Sequence, residues 1–158
     1  MEKFAFILHP LSLQDMEHLS PLMRYIPDPI IEACLKMKKP FKVSHITGIK
    51  SPYAEAEGWF IGCPLTAKQM VELPEEFVMD RIIESGKVAQ ELGAKIVGLG
   101  AFTSIVGDAG ITVAKNLDIA VTSGNSYTVA TAIHGTKQAA RMMGKDLKEC
   151  RAVVVGAT

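Results

Sequence analysis

Two short stretches carry side chains that could act on a bound carbonyl group: Leu99-Gly100-Ala101-Phe102-Thr103-Ser104-Ile105 and Thr122-Ser123-Gly124-Asn125-Ser126-Tyr127-Thr128. Each follows a short apolar run and sets hydroxyls beside a glycine. In an open α/β sheet, ligand crevices form where strands end in this way. Thr103, Ser104, Ser123, Asn125, Ser126 and Thr128, with Gly124 in the turn, are therefore candidates for hydrogen-bonding and positioning a substrate oxygen. The second stretch also heads a helix, whose first backbone N–H groups attract an anionic or carbonyl oxygen. Helix capping uses the same residue types and binds nothing, so both roles stay open at this point.

The histidines and cysteines carry the other reactive groups. His9 ends an apolar run and is a candidate general acid, against the ordinary role of bonding a local carbonyl. Cys63, beside Pro64, would be a nucleophile if a neighbouring cation lowered its pKa, and otherwise is a small buried residue. His18, His45 and His134 lie on helix or hairpin faces without obvious partners. The cysteines are Cys34, Cys63 and Cys150, an odd number with no Cys-x-x-Cys spacing and no paired histidine, so reduced thiols and no structural zinc are expected.

The elements that must hold these groups follow from pattern. Residues 4–8 form a compact apolar run that His9-Pro10 closes, as a strand does. Residues 15–25 and 29–38 show helical spacing. Residues 41–47 alternate apolar and polar, and Gly58-Trp59-Phe60-Ile61-Gly62-Cys63 follows after a polar connection, which reads as an antiparallel hairpin. Thr66-Ala67-Lys68-Gln69 has the form of a capping box. Pro74, Glu75 and Glu76 open a long helix with Val78, Ile82, Ala89 and Leu92 on one face. Short strands are expected at 95–100 and 118–122, a helix at 129–143, and a last strand at 151–155. Strands alternating with helices imply an α/β domain with three αβα layers, a mostly parallel sheet and one antiparallel hairpin.

Composition narrows the function classes. The chain has 158 residues, 48% hydrophobic and 22% charged, enough to bury a sizeable core. Basic and acidic residues number 17 each, so no charge excess exists to neutralise a phosphate backbone, and nucleic acid is not an expected partner. No apolar run approaches the ~20 residues needed to span a bilayer, and the opening residues lack a secretory signal, so a cytoplasmic location is expected.

Val153-Val154-Val155-Gly156-Ala157-Thr158 is a β-branched run breaking into Gly-Ala, as the first strand of a dinucleotide-binding domain does. Together with Phe6-Ile7-Leu8-His9-Pro10-Leu11-Ser12, Gly58-Trp59-Phe60-Ile61-Gly62-Cys63-Pro64-Leu65 and the two hydroxyl-rich stretches, it forms an ordered series of blocks. That series resembles the long-chain acyl-(acyl-carrier-protein) reductases and their bacterial relatives described as amino-acid dehydrogenases. Leu-Gly-Ala-Phe-Thr-Ser-Ile and Thr-x-Gly-Asn-x-x-Thr are its specific parts. A more distant likeness is to shikimate dehydrogenases, with two departures: Tyr127 stands where their turn carries an acid, and no Lys accompanies Thr103-Ser104. Their substrate and catalytic pair are therefore not carried over.

The resemblance implies a substrate-side domain over residues 1–150 and, over 151–158, the first strand and glycine turn of a Rossmann domain cut short by truncation or proteolysis. It implies an oxidoreductase using NADP or NAD, reducing an acyl thioester of acyl carrier protein or CoA to an aldehyde. Gly156, Ala157 and Thr158 would begin the cofactor site. The family's acyl-accepting cysteine would lie beyond Thr158, so these residues alone would be inactive. An amino acid or a shikimate-like small acid is the alternative substrate. The alternative of another class is a non-catalytic module docking an acidic carrier through Lys36, Lys38, Lys39 and Lys42. A homo-oligomer is compatible with each reading.

Overall fold

The computed structural model describes residues 1–15 and 24–155. By density of contacts the chain divides into two units, Met1–Ser123 and Gly124–Thr158. Most of the helix expected over 15–25, including His18, lies outside the described residues.

The first unit is an α/β domain. Its strands are β1 (Glu2–Leu8), β2 (Phe41–Lys50), β3 (Glu55–Gly62), β4 (Ile96–Leu99) and β5 (Ala120–Thr122). They form one sheet in the order β2-β3-β1-β4-β5. The β1/β3, β1/β4 and β4/β5 pairs are parallel, and β2/β3 is the expected antiparallel hairpin. Flanking helices are α1 (Asp28–Met37), α2 (Ala67–Glu72), α3 (Glu75–Glu91) and α4 (Ile111–Lys115), consistent with a three-layer αβα arrangement. The hairpin strands run further than their alternation suggests. Only residues 51–54 connect them, where Ser51 Oγ accepts the backbone N–H groups of Tyr53 and Ala54 and so closes the turn.

Alternation along the strands sends one set of side chains into the core. Ala5, Ile7, Trp59, Ile61, Val97 and Leu99 face α3, which returns Val78, Met79, Ile82, Ile83 and Ala89. Those five helical positions repeat at three to four residues, the spacing of one helix face. Each large aliphatic side chain buried there contributes roughly 1.5–3 kcal/mol. Gln69 N–H bonds Thr66 Oγ1 and Thr66 N–H bonds Gln69 Oε1, so the capping box at the start of α2 is complete. His45, which looked partnerless, stacks on Trp59 at 5.4 Å and 8° and places Nε2 3.2 Å from Glu57. No helix among the described residues is long and apolar enough to cross a membrane.

On the opposite sheet face, glycine is imposed by close approach. A Cβ on Gly58 would lie 2.7 Å from the Phe4 carbonyl oxygen and ring, and one on Gly98 2.6 Å from the Phe6 ring. The two β1 phenyl rings thus lie against positions where a side chain cannot fit.

The second unit holds α5 (Asn125–Met142) and a 3-10 turn (Leu147–Glu149). Helix α5 begins four residues earlier than expected, directly on Gly124 at φ 74°. Residues 151–155 enter no strand, and Val153, Val154 and Val155 are exposed. Among the described residues the expected strand finds no ladder partner, and a strand forms only against one.

Gly58→Ala should lower unfolding free energy by about 1–3 kcal/mol through the clash with Phe4. Gly135→Ala, mid-helix in α5 with nothing within 4 Å of its added Cβ, should stabilise by about 0.5–1 kcal/mol. Urea unfolding of the two variants checks the contrast.

Candidate functional site

The chain leaves β1 toward the β3 side of the sheet and leaves β4 toward β5, so connections diverge between β1 and β4. In an open parallel sheet this switch point, at the carboxyl ends of the strands, is where a ligand crevice forms. His9 follows β1 and the 3-10 turn Ala101–Ser104 follows β4, so two of the sequence-derived blocks meet there.

Their contact is specific. Phe102 N–H donates to His9 Nε2 at 3.2 Å, and His9 Nδ1 lies 3.0 Å from the Pro10 carbonyl oxygen. A backbone N–H is always a donor, so Nε2 must present its lone pair and Nδ1 must carry the proton it gives to Pro10. The rings of His9 and Phe102 meet edge to face at 5.9 Å. Both ring nitrogens are therefore engaged within the chain, and His9 can give or take a proton only by releasing Pro10 or Phe102.

The β4 turn is likewise closed on itself. Thr103 is 1% exposed and its hydroxyl donates to the Gly100 carbonyl at 2.8 Å, while Ser104 Oγ donates to Ala101 at 2.7 Å. A hydroxyl has one proton to give, so neither is available to a substrate oxygen in this conformation. The candidate role of these two residues as donors gives way to one of fixing the turn. Ala101 sits at φ 48°, a left-handed conformation unusual for a residue with a Cβ.

Ser123 follows β5, on the same sheet edge. In the second unit, Gly124 precedes α5 without a side-chain cap, and Thr128 Oγ1 donates back to the Gly124 carbonyl at 3.2 Å. Asn125 and Ser126 open the helix exposed, so of the candidate polar side chains these two and the half-buried Ser123 keep their donors unspent among the described residues. Gly156, Ala157 and Thr158 lie outside the described residues.

Cys63 is fully buried, and its thiol is pushed up to about 11, because burial outweighs the Ser85 hydrogen bond and the Arg81 charge that favour the thiolate. It is a packing residue, not a nucleophile. Among the described residues no group of three or more His, Cys, Asp or Glu could hold a metal ion.

One feature had no signal in local sequence spacing. A pocket of about 200 Å³ opens in the corner between α1 and the carboxyl ends of β1 and β3, lined by Leu8, His9, Leu35, Lys38, Phe41, Val43 and neighbours. It joins side chains from three elements, which only the folded topology brings together. His9 both lines this pocket and accepts the Phe102 N–H at the switch point.

His9→Ala leaves the half-buried Phe102 N–H without its acceptor and should cost about 1–3 kcal/mol in urea unfolding. The Cys63 shift has a defined sign. The folded thiol keeps its proton to about pH 11 whereas the ordinary value is 9.0, so stability is intact below pH 9 and falls as pH rises toward 11. Cys63→Ala should flatten that decline, and iodoacetamide should label exposed Cys34 and Cys150 in the native chain but Cys63 only after unfolding.

No family model matches the chain. An 87-residue stretch, 55% of this chain, is 38% identical to the aminotransferase PigE of Serratia sp. (strain ATCC 39006). That stretch makes up 10% of the relative, so the chain spans only a small part of that protein's length.

Proposed function

We propose that this chain is the substrate-side domain of an NAD(P)-dependent oxidoreductase that reduces an acyl thioester to an aldehyde. The observation that carries the reading is the switch point between β1 and β4, with the His9–Phe102 bond at its centre and an apolar pocket opening beside it. Lys38 and Lys39 lie between α1 and β2, flanked by Lys36 near the end of α1 and Lys42 near the start of β2, and Lys38 lines the pocket. An acidic carrier presenting a thioester would find positive charge next to an apolar cleft.

The similarity to PigE is compatible with this reading. An aminotransferase needs a carbonyl acceptor, and thioester reduction produces an aldehyde of that kind. A stretch amounting to one tenth of a long protein leaves room for both activities in one polypeptide.

The nicotinamide, when bound, supplies the hydride. This chain's part is to bind and orient the thioester at the carboxyl edge of the sheet and to exclude water from it. The hydroxyls of Thr103 and Ser104 hold the β4 turn in shape, which keeps the His9–Phe102 bond aligned. In the first unit Ser123 carries an uncommitted side-chain donor, and so, separately, do Asn125 and Ser126 in the second.

The test is NADPH oxidation by this domain joined to the nucleotide-binding half that the reading requires. Acyl-carrier-protein and acyl-CoA thioesters should be consumed and free amino acids should not. A joined protein that binds no nucleotide sinks the proposal. Asn125→Ala should lower kcat/KM by about tenfold or more if the Gly-Asn turn contacts the carbonyl. Unchanged turnover and affinity would remove that turn from the site.

A further inference from the structure

We infer that the pocket between α1 and the ends of β1 and β3 receives the apolar tail of a short acyl chain, and that its volume sets the length preferred. The inference rests on the acyl-thioester reading and adds the class of acyl group. A pocket of about 200 Å³ is room for on the order of half a dozen water-sized groups at about 30 Å³ each, the size of a short alkyl chain and not of a long one.

Its chemistry is apolar for a specific reason. Leu8, Leu35, Phe41 and Val43 supply the walls, and a Cβ on Gly62 would come within 3.1 Å of both Phe41 and Val43. Phe41 and Val43 thus lie directly over Gly62 and close the floor of the pocket there. Three polar residues line the pocket, and each is already engaged. His9 spends one ring nitrogen on Pro10 and the other on Phe102, and Asp15 Oδ2 accepts the N–H groups of Leu11 and Ser12. Lys38 Nζ lies 4.1 Å over the Phe41 ring. The cation and the carboxylate offset each other, so a charged tail gains nothing there, whereas a methylene chain gains by leaving water. A cavity of about 490 Å³ near Arg24, Asp28, Glu32 and Lys68 is larger, but it mixes charges of both signs with its apolar residues Leu11, Leu13, Ile26 and Ile31.

His9, which lines the pocket, also accepts the Phe102 N–H, so this one residue links the pocket to the turn after β4.

The experiment is calorimetric titration of this 158-residue chain with N-acetylcysteamine thioesters of acetyl, butanoyl, hexanoyl, octanoyl and dodecanoyl groups. Affinity should rise about fourfold per methylene up to the hexanoyl-to-octanoyl range and then level off or fall. Val43→Trp, at a half-exposed position on the edge strand, should weaken hexanoyl binding at least about tenfold and acetyl binding by much less. Leu8→Ala should move the plateau to longer chains, and it decides the matter if Val43→Trp does not fold. Affinity independent of chain length, or tighter binding of free amino acids or dicarboxylates, would overturn the inference. The two readings fail separately. A length ladder without NADPH oxidation by the joined protein keeps the pocket and removes the reductase, whereas NADPH oxidation without length preference does the reverse.

Discussion

Strand β1 lies between two parallel neighbours, and its packing against them constrains the rest of the domain. Phe4 and Phe6 place their rings sideways over Gly58, Gly98 and Gly100 instead of standing away from the sheet. A methyl group at any of these glycines would meet a ring or a carbonyl at 2.6–2.7 Å. The neighbours are therefore held in a register that brings the ends of β1 and β4 level, which is why His9 reaches the backbone of Phe102. The contact between the ends of β1 and β4 is a consequence of how aromatic side chains on one strand are accommodated by missing side chains on the next.

That arrangement changes what the hydroxyl-rich turn is for. Thr103 and Ser104 look like donors to a substrate, but their protons close a 3-10 turn, and the turn in turn presents the N–H that His9 accepts. The β4 block is thus a rigid wall, and recognition there depends on shape and on apolar contact. In the first unit, Ser123 at the end of β5 is the candidate whose side-chain donor is not committed in this way. Polar recognition and structural rigidity are divided between neighbouring strand ends.

Local signals were legible where local physics decides. Thr66 and Gln69 sit three residues apart and satisfy each other's backbone groups, so the start of α2 could be read from four letters. The α3 face and the antiparallel hairpin followed from periodicity. The strand limits around residues 47–57 did not, because Gly48 and a polar stretch resemble a loop while the ladder continues through bulges. The His9–Phe102 bond spans 93 residues and has no local trace. Residues 151–155 have the composition of a buried strand, but composition cannot supply the neighbour that makes a strand. The glycines at 58, 98 and 100 were visible as letters, whereas their reason lies on another strand.

Ala101 adopts a left-handed backbone at φ 48°, where glycine would sit without penalty. An L-residue there costs on the order of 1 kcal/mol, which the surrounding bonds of Gly100, Thr103 and Ser104 offset. The methyl group also narrows what the unbound loop can sample, since alanine has fewer alternative conformations to escape into than glycine. The turn therefore meets an incoming molecule already shaped, and the entropy of ordering it is settled during folding instead of during binding.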